Sequence, residues 1–248
     1  MTAADLPTWL RPLAAALPGV RPEQMSRFLP PDRGVRRYSA VLVLFGADGD
    51  PAEPDLLLIE RAATMRSHAG QPAFPGGAVD PEDGGPVAAA LREAQEEVGL
   101  DPATVEVLGT LPDLWLPPSG FVVTPVVAWW RRPHPVHVVD AAEVAAVARI
   151  PVSRLVDPQH RLQVTHPSGW IGPAFDTGDM LVWGFTAGVL DRLLAFGGWE
   201  RPWDRTRTQE LAPEVVALAR ASSPAFPTPE QLAEAVPAED PIGEAPER

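Results

Sequence analysis

Short apolar runs alternate with turn-rich segments along most of the chain. The first run, "SAVLVLF" at 39–45, is typical of a buried strand, and "LLLIE" at 56–60 predicts the strand that returns after a Pro- and Gly-rich loop. Together the two runs predict a hairpin with a long connection. Further strands are predicted at 105–111, 121–130, 145–150, 162–164 and 180–182.

Two segments have the apolar spacing of helices. "GFTAGVLDRLLAF" at 184–196 places several leucines on one side, which is typical of a core helix, and we assign it no chemistry. "PVAAALREAQEEV" at 86–98 repeats apolar residues at helical spacing, and Gly99 is suited to end it in a left-handed conformation. The alternation of strands and helices predicts an α/β (α+β) fold in which a mixed β-sheet lies between helices.

Three regions differ in composition. Residues 1–37 are rich in Pro and Arg and predict a lead-in packed on the domain, with one short helix near 10–17. Residues 38–200 hold the predicted strands and helices and form the expected domain. Residues 201–248 are expected to be a C-terminal extension, largely irregular or mobile, with one short helix near 229–236.

Composition and charge exclude several classes of protein. The net charge of -13 argues against broad binding to nucleic acid or to anionic lipid, since both would repel the surface. All 20 basic residues are Arg, which excludes Schiff-base chemistry and a phosphate-loop lysine. The absence of Cys removes thiol nucleophiles and zinc–thiolate sites.

No uninterrupted apolar run approaches the ~18 residues that a membrane helix needs, and Pro7 and Pro18 interrupt the N-terminal apolar run. We therefore expect a cytoplasmic protein without a membrane partner.

The helix at 86–98 carries the strongest candidate chemistry. At ~100° per residue, Glu93, Glu96 and Glu97 fall within an arc of about 100°, roughly opposite the apolar stripe. Taken alone, three glutamates on a helix are more commonly a solvated face. However, Glu93 and Glu97 are spaced i, i+4 and can each offer an oxygen to one hard cation, while Glu96 can reach a second ion or a water.

The residues around these glutamates favour a metal site. Carboxylates without nearby His or Cys indicate Mg²⁺ or Mn²⁺ rather than zinc. Gly76 and Gly77 precede the helix in "FPGG"; because they lack Cβ, a ligand or a metal can approach their backbone closely, and the Gly77 carbonyl is a further candidate ligand.

The segment resembles the signature of the Nudix hydrolase superfamily: Gly, five residues, Glu, seven residues, then Arg-Glu-apolar-x-Glu-Glu-x-Gly-apolar. "REAQEEVGL" at 92–100 matches the second half at every position. In the first half, Gly77 is followed after five residues by Asp83 rather than Glu, and eight residues rather than seven separate Asp83 from Arg92.

The segment upstream is similar to the signature of the coenzyme A diphosphatase branch of that superfamily. "LLIERAATMRSHAGQPAFPGG" at 57–77 places Arg61, Arg66 and Gly70 at the matching positions, while Ile59 and Pro72 depart from the usual residues. Later segments at 116–127, 142–157 and 183–190 are similar to segments of the same branch in the same order. The resemblance covers roughly 38–200 and implies the superfamily's α/β/α sandwich.

The resemblance implies metal-dependent hydrolysis of the diphosphate bond of a small-molecule nucleotide, coenzyme A in this branch. It implies that Glu93, Glu96 and Glu97 hold Mg²⁺ or Mn²⁺, that Arg92 orients a glutamate, and that either Glu93 or a later carboxylate such as Glu143 is the general base. Candidate substrate contacts are Arg61, Arg66, Gly76 and Ser119.

Alternatives remain open at this point. Another nucleoside diphosphate derivative, such as a nucleotide sugar, NADH or a dinucleotide, would use the same helix chemistry. A non-catalytic module that senses a nucleotide would be expected to lack one or more of the helix carboxylates, and all three are present. A homodimer is possible for any of these proteins.

Overall fold

The computed structural model describes residues 5–26, 37–47, 49–50, 52–65, 67–116 and 119–222. The helices are α1 (Arg11–Ala16), α2 (Pro22–Met25), α3 (Pro86–Val98), α4 (Val152–Val156), α5 (Gly184–Phe196) and α6 (Pro213–Ser222). The strands are β1 (Arg37–Ala47), β2 (Pro54–Arg61), β3 (Pro72–Ala73), β4 (Gly76–Ala78), β5 (Val105–Thr110), β6 (Leu114–Leu116), β7 (Phe121–Trp130), β8 (Val144–Pro151), β9 (Arg161–Thr165), β10 (Ile171–Asp176), β11 (Leu181–Val182) and β12 (Thr208–Glu210).

A mixed sheet forms the centre of the domain. Its main path runs β3-β2-β1-β7-β5, with β4 paired to β1, β6 to β7 and β8 to β2. Strands β1 and β7 are parallel, and the other pairs in this sheet are antiparallel. The predicted pairing of 39–45 with 56–60 is confirmed, since Phe45 lies opposite Leu56.

Helices cover both faces of this sheet, which explains why β1 is apolar at nearly every position. Leu42 and Leu44 point to the face covered by α3, while Val43 and Phe45 point to the face covered by α1 and α5. The structure is therefore the predicted α/β/α sandwich. Among the described residues, no helix is long and apolar enough to cross a membrane.

A second sheet, which the sequence did not predict as such, follows the first. Its order is β11-β10-β9-β12, and β12 runs parallel to β9. Strand β10 contains Gly172 and Pro173, both unfavourable in strand interiors, so its sequence gives a weak signal. Helix α6 packs on this sheet with Val216 and Ala219 buried.

The two chain ends differ in what the structure describes. In the predicted lead-in, α1 lies at the expected position and Leu13 is buried in the core. In the predicted extension, β12 and α6 are ordered elements, while the helix expected near 229–236 lies outside the described residues. The domain boundaries at residues 37 and 200 stay predictions.

A buried ion pair joins the second sheet to α5. The guanidinium of Arg161 on β9 contacts the carboxylate of Asp191 on α5, and the Arg161 side chain is fully inaccessible to solvent. The guanidinium also lies over the rings of Phe175 and Trp203, 4.4 and 4.5 Å from their centroids. Burial lowers the pKa of Arg161, and Asp191 opposes that shift. The pair therefore depends on both charges being present.

Removing one charge of this pair should strongly destabilise the fold. We expect Asp191→Asn to lower the free energy of unfolding by about 3–5 kcal/mol, because the buried guanidinium loses its counter-charge. Glu200 forms a more exposed pair with Arg205, 3.5 Å apart, and its charge also raises the pKa of Arg161. Glu200→Gln is therefore the comparison for losing an exposed charge near the same guanidinium, and it should cost under about 1 kcal/mol. Urea titration of both variants measures the difference, and equal losses would contradict the assignment.

Candidate active site

Helix α3 carries the three glutamates, and its bounds follow from local sequence. Pro86 is its first residue, where a missing N–H costs nothing. Gly99 ends it at φ 71°, and its N–H donates to the carbonyl of Gln95 at 3.0 Å. The left-handed end predicted at Gly99 is confirmed.

The three glutamates differ in exposure, which the sequence did not predict. Glu97 is buried with 1% exposed, whereas the side chain of Glu96 is 59% exposed and that of Glu93 14%. Strand β4 packs on this side of α3 and covers Glu97. The arc of carboxylates therefore runs from solvent into the protein.

One oxygen of Glu97 accepts a backbone hydrogen bond, and the other accepts none from the described residues. Its Oε2 accepts a hydrogen bond from the Gly76 N–H at 2.9 Å. Its Oε1 is buried without a hydrogen-bond partner among the described residues and lies 3.8 Å from Nη1 of Arg61. Burial raises the pKa of Glu97 to about 8, against the opposing effects of Gly76 and Arg61. A buried carboxylate oxygen that accepts no hydrogen bond is a position that a water molecule or a cation commonly fills.

Gly76 and Gly77 permit close packing against this cluster. A Cβ at Gly76 would lie 2.3 Å from the carbonyl oxygen of Ala40 on β1. A Cβ at Gly77 would lie 2.3 Å from Oε1 of Glu93, so the carboxylate of Glu93 occupies the space of a side chain. Glycine at both positions therefore brings β4 within reach of the helix carboxylates.

A third carboxylate reaches the cluster from a distant segment. Oxygens of Glu93, Glu97 and Glu143 lie within 4.8 Å of one another. Glu143 immediately precedes β8, where Val144 pairs with Arg61 on β2, and its carbonyl accepts from the Ala62 N–H at 2.8 Å. These three carboxylates, among them the Oε1 of Glu97, form a donor set suited to a hard divalent cation.

Arg92 binds the helix carboxylates to the loop before the helix. Its Nε and Nη2 donate to the two oxygens of Asp83 at 2.7 and 2.9 Å, and Nη2 also donates to the Ala78 carbonyl at 3.1 Å. Its Nη1 lies 3.0 Å from Oε1 of Glu93 and 3.0 Å from Oε2 of Glu96. Asp83, which departs from the superfamily pattern, thus pairs with Arg92 through both oxygens.

Arg92 and Asp83 each stabilise the charged form of the other. The hydrogen bonds from Arg92 lower the pKa of Asp83 to about 2, and the hydrogen bond to Asp83 raises the pKa of Arg92. Burial raises the pKa of Glu93, while Arg92 opposes the shift. The predicted orienting role of Arg92 therefore has a geometric basis in its contact with Glu93.

The remaining predicted residues lie in different places. Glu96 contacts Arg92 and lies outside the cluster of three carboxylates, so its role as a metal ligand stays a prediction. Arg61 lies beside Glu97, and its buried Nε has no hydrogen-bond partner in the part of the chain that the structure describes. Ser119 is buried, and its hydroxyl is 3.4 Å from the Leu116 carbonyl. Arg66 lies outside the described residues.

Sequence reasoning considered Glu143 only as a general base and left Asp83 without a function. The signal for Glu143 lies in the register of β8 against β2, which places it beside Arg61. That register cannot be obtained from local periodicity. The signal for Asp83 is its position in the loop that packs against Arg92. The eight-residue spacing between Asp83 and Arg92, in place of seven, obscured this signal in the sequence.

Comparison with known proteins identifies the family. The NUDIX domain matches residues 35–167. A protein named uncharacterized Nudix hydrolase NudL from Cronobacter sakazakii is 45% identical over 156 residues, which cover 60% of this chain and 78% of that protein. The protein of the same name from Citrobacter koseri is 42% identical over 169 residues, which cover 64% and 81%. The chain belongs to the Nudix family.

Solved structures are similar at lower identity. A Nudix hydrolase from M. smegmatis, RenU, is 21% identical and has a TM-score of 0.47, covering 68% of this chain and 91% of that chain. A NUDIX hydrolase from Nitrosomonas europaea is 13% identical with a TM-score of 0.46, covering 72% and 81%. These TM-scores are too low to carry any feature of those structures over to this chain.

Family membership gives the class of reaction. The protein is a hydrolase that acts on phosphorus-containing anhydrides, namely the pyrophosphate bond of a nucleotide derivative. Nudix hydrolases generally use divalent metal ions, and the cluster of Glu93, Glu97 and Glu143 supplies suitable ligands.

The raised pKa of Glu97 predicts how the metal-free protein responds to pH. Because this pKa rises from 4.5 to about 8, the folded state holds a proton that the unfolded state releases at lower pH. Stability should therefore fall as pH rises from about 4.5 to about 8. We expect a smaller fall in Glu97→Gln, which keeps an acceptor for the Gly76 N–H. Thermal unfolding of both proteins in a chelator across this pH range measures the difference. The same pH dependence of stability in both would show that Glu97 does not bind this proton.

Proposed function

We propose that the protein hydrolyses the diphosphate bond of coenzyme A or its derivatives to 4′-phosphopantetheine and adenosine 3′,5′-bisphosphate. In this reaction the oxygen of one water bonds to one phosphorus while the bridging P–O bond breaks, which leaves two phosphomonoesters and releases a proton. The substrate class is supported by the signature at 57–77, which contains Arg61, Arg66 and Gly70.

The observation that carries the proposal is the convergence of Glu93, Glu97 and Glu143 within 4.8 Å, with Arg61 beside them. We propose Mg²⁺ or Mn²⁺ as the ion, because the ligands are all carboxylate oxygens. When bound, such an ion neutralises phosphate oxygens and lowers the pKa of a coordinated water. Glu96 and the carbonyl of Gly77 remain the further ligands that the sequence predicts.

The protein's own side chains have separate roles in this proposal. The Gly76 N–H fixes Oε2 of Glu97 and leaves Oε1 free for the ion. Arg92 orients Glu93 through its Nη1. Arg61 supplies a guanidinium whose buried Nε has no partner among the described residues and can donate to a phosphate oxygen.

The general base is a carboxylate of the same cluster. Burial raises the pKa of Glu93, which brings it nearer to the range in which a carboxylate accepts a proton from water efficiently. Glu143 lies close enough to the other two carboxylates to take either part, as a third metal ligand or as the base. The proposed roles of Gly76 and Ser119 in substrate binding, the cytoplasmic location and the homodimer stay predictions.

Turnover of different nucleotides tests the substrate. With Mg²⁺, we expect coenzyme A to give the two products named above with kcat/KM at least about tenfold higher than for NAD, ADP-ribose or a deoxynucleoside triphosphate, a difference of about 1.4 kcal/mol in transition-state binding. Mass spectrometry of the products measures this. If one of the other nucleotides is preferred, coenzyme A is not the substrate, although the protein is still a hydrolase of pyrophosphate bonds.

Substitution of Glu143 tests its part in the cluster. If Glu143 is the third ligand, Glu143→Gln should raise the Mn²⁺ concentration for half-maximal turnover about tenfold or more, because one carboxylate charge is lost from the site. Glu82→Gln is the matched control, since Glu82 is exposed and lies outside the cluster. An unchanged Mn²⁺ requirement with a kcat lowered about a hundredfold would instead assign Glu143 as the base.

A further inference from the structure

Helix α6 packs directly on the loop between β2 and β3, which is part of the proposed substrate signature. Gly70 in this loop has a left-handed backbone with φ 65°. A Cβ at Gly70 would lie 2.4 Å from Cδ2 of Leu218 on α6, so the leucine methyl covers the Gly70 backbone. Position 70 therefore requires glycine for two reasons, namely the left-handed backbone and the close contact with Leu218.

The position of Leu218 is set by the second sheet. On the same helix, Val216 and Ala219 are buried in the cluster that contains Leu162 and Val164 of β9. This part of the chain lies beyond residues 35–167, which the NUDIX domain matches. An element outside the matched region thus contacts a loop inside it.

Backbone hydrogen bonds connect Gly70 to Arg61. The Gly70 N–H donates to the Arg61 carbonyl at 3.0 Å, and the Arg61 N–H donates to the Gln71 carbonyl at 3.1 Å. These two bonds close the base of the loop at the residue whose guanidinium lies 3.8 Å from Glu97. Displacement of Gly70 therefore displaces the backbone of Arg61.

The next residues of the loop hold the turn that carries Glu143. The Ala62 N–H donates to the Glu143 carbonyl at 2.8 Å, and Oγ1 of Thr64 lies 3.3 Å from the Ala142 carbonyl. The loop thus has α6 on one side and the third carboxylate on the other. From the Leu218 contact on Gly70, one hydrogen bond leads to Arg61, and a second one, from the neighbouring Ala62, leads to Glu143.

We propose that Leu218 is a positioning residue for Arg61 and Glu143. By packing on Gly70 it keeps the base of the loop closed, which sets these two side chains against Glu93 and Glu97. This inference rests on the proposed function for its meaning in catalysis. The packing of Leu218 on Gly70 is independent of any substrate, and its effect on the carboxylate cluster can be measured through Mn²⁺ binding alone.

Two measurements on Leu218→Ala test the inference without depending on turnover. Hydrogen–deuterium exchange should become faster at the amides of Ala62 and Gly70, because the loop loses the group that covers it. Binding of Mn²⁺, followed by the electron paramagnetic resonance signal of the free ion, should weaken about threefold or more. In a separate turnover assay with the proposed substrate, KM for coenzyme A should rise by a larger factor than kcat falls.

Val215→Ala is the matched control. Val215 lies on the same helix and packs against the second-sheet cluster. We expect this variant to lose stability but to keep wild-type exchange at Ala62 and Gly70 and wild-type Mn²⁺ binding. Leu218→Met, which restores a long apolar side chain, should recover both properties. If Leu218→Ala does not fold, Leu218→Val takes its place in the same measurements.

The outcomes separate this inference from the proposed substrate. Equal exchange and equal Mn²⁺ binding in the Leu218 and Val215 variants would overturn the positioning role. If wild-type protein binds Mn²⁺ but does not cleave coenzyme A, the substrate proposal fails. A selective loss of Mn²⁺ binding in Leu218→Ala would still support the positioning of Glu143.

Discussion

The site depends on a carboxylate that is buried beside two others. Glu97 has 1% of its surface exposed, and its charge is disfavoured by burial and by the nearby charges of Glu93 and Glu143. Such a group is tolerated only where hydrogen bonds or opposite charges offset the cost. Here the Gly76 N–H and the guanidinium of Arg61 offset part of it. A divalent ion on the free oxygen would offset the remainder.

The mixed sheet brings the parts of this arrangement together. Strand β1 pairs with β4 on one part of its edge and with β2 further along, while β8 pairs with β2. The start of β4 with Gly76, the end of β2 with Arg61 and the turn with Glu143 therefore meet near α3. Each contributes one group, so the geometry of the site depends on the register of three strand pairs.

The departure from the superfamily pattern has a structural account. Asp83 has a shorter side chain than Glu and stands one residue further from the arginine along the chain, yet it binds Arg92 with both oxygens. The loop between β4 and α3 includes a single 3-10 turn at Pro81–Asp83, which brings the shorter side chain to the guanidinium. Arg92 then still contacts Glu93, so the change in the loop leaves the helix side of the site intact.

The sequence by itself determined the central strands β1, β2 and β7, helices α3 and α5, and the glutamates of α3, because apolar periodicity and the Nudix signature are local. The tertiary structure decided the burial of Glu97 under β4, the arrival of Glu143 and the contact of Leu218 with Gly70. Short strands such as β3 and β4, and β10 with its Gly and Pro, have too little pattern to predict. Burial and register arise from pairings between segments far apart in the chain, which no local pattern encodes.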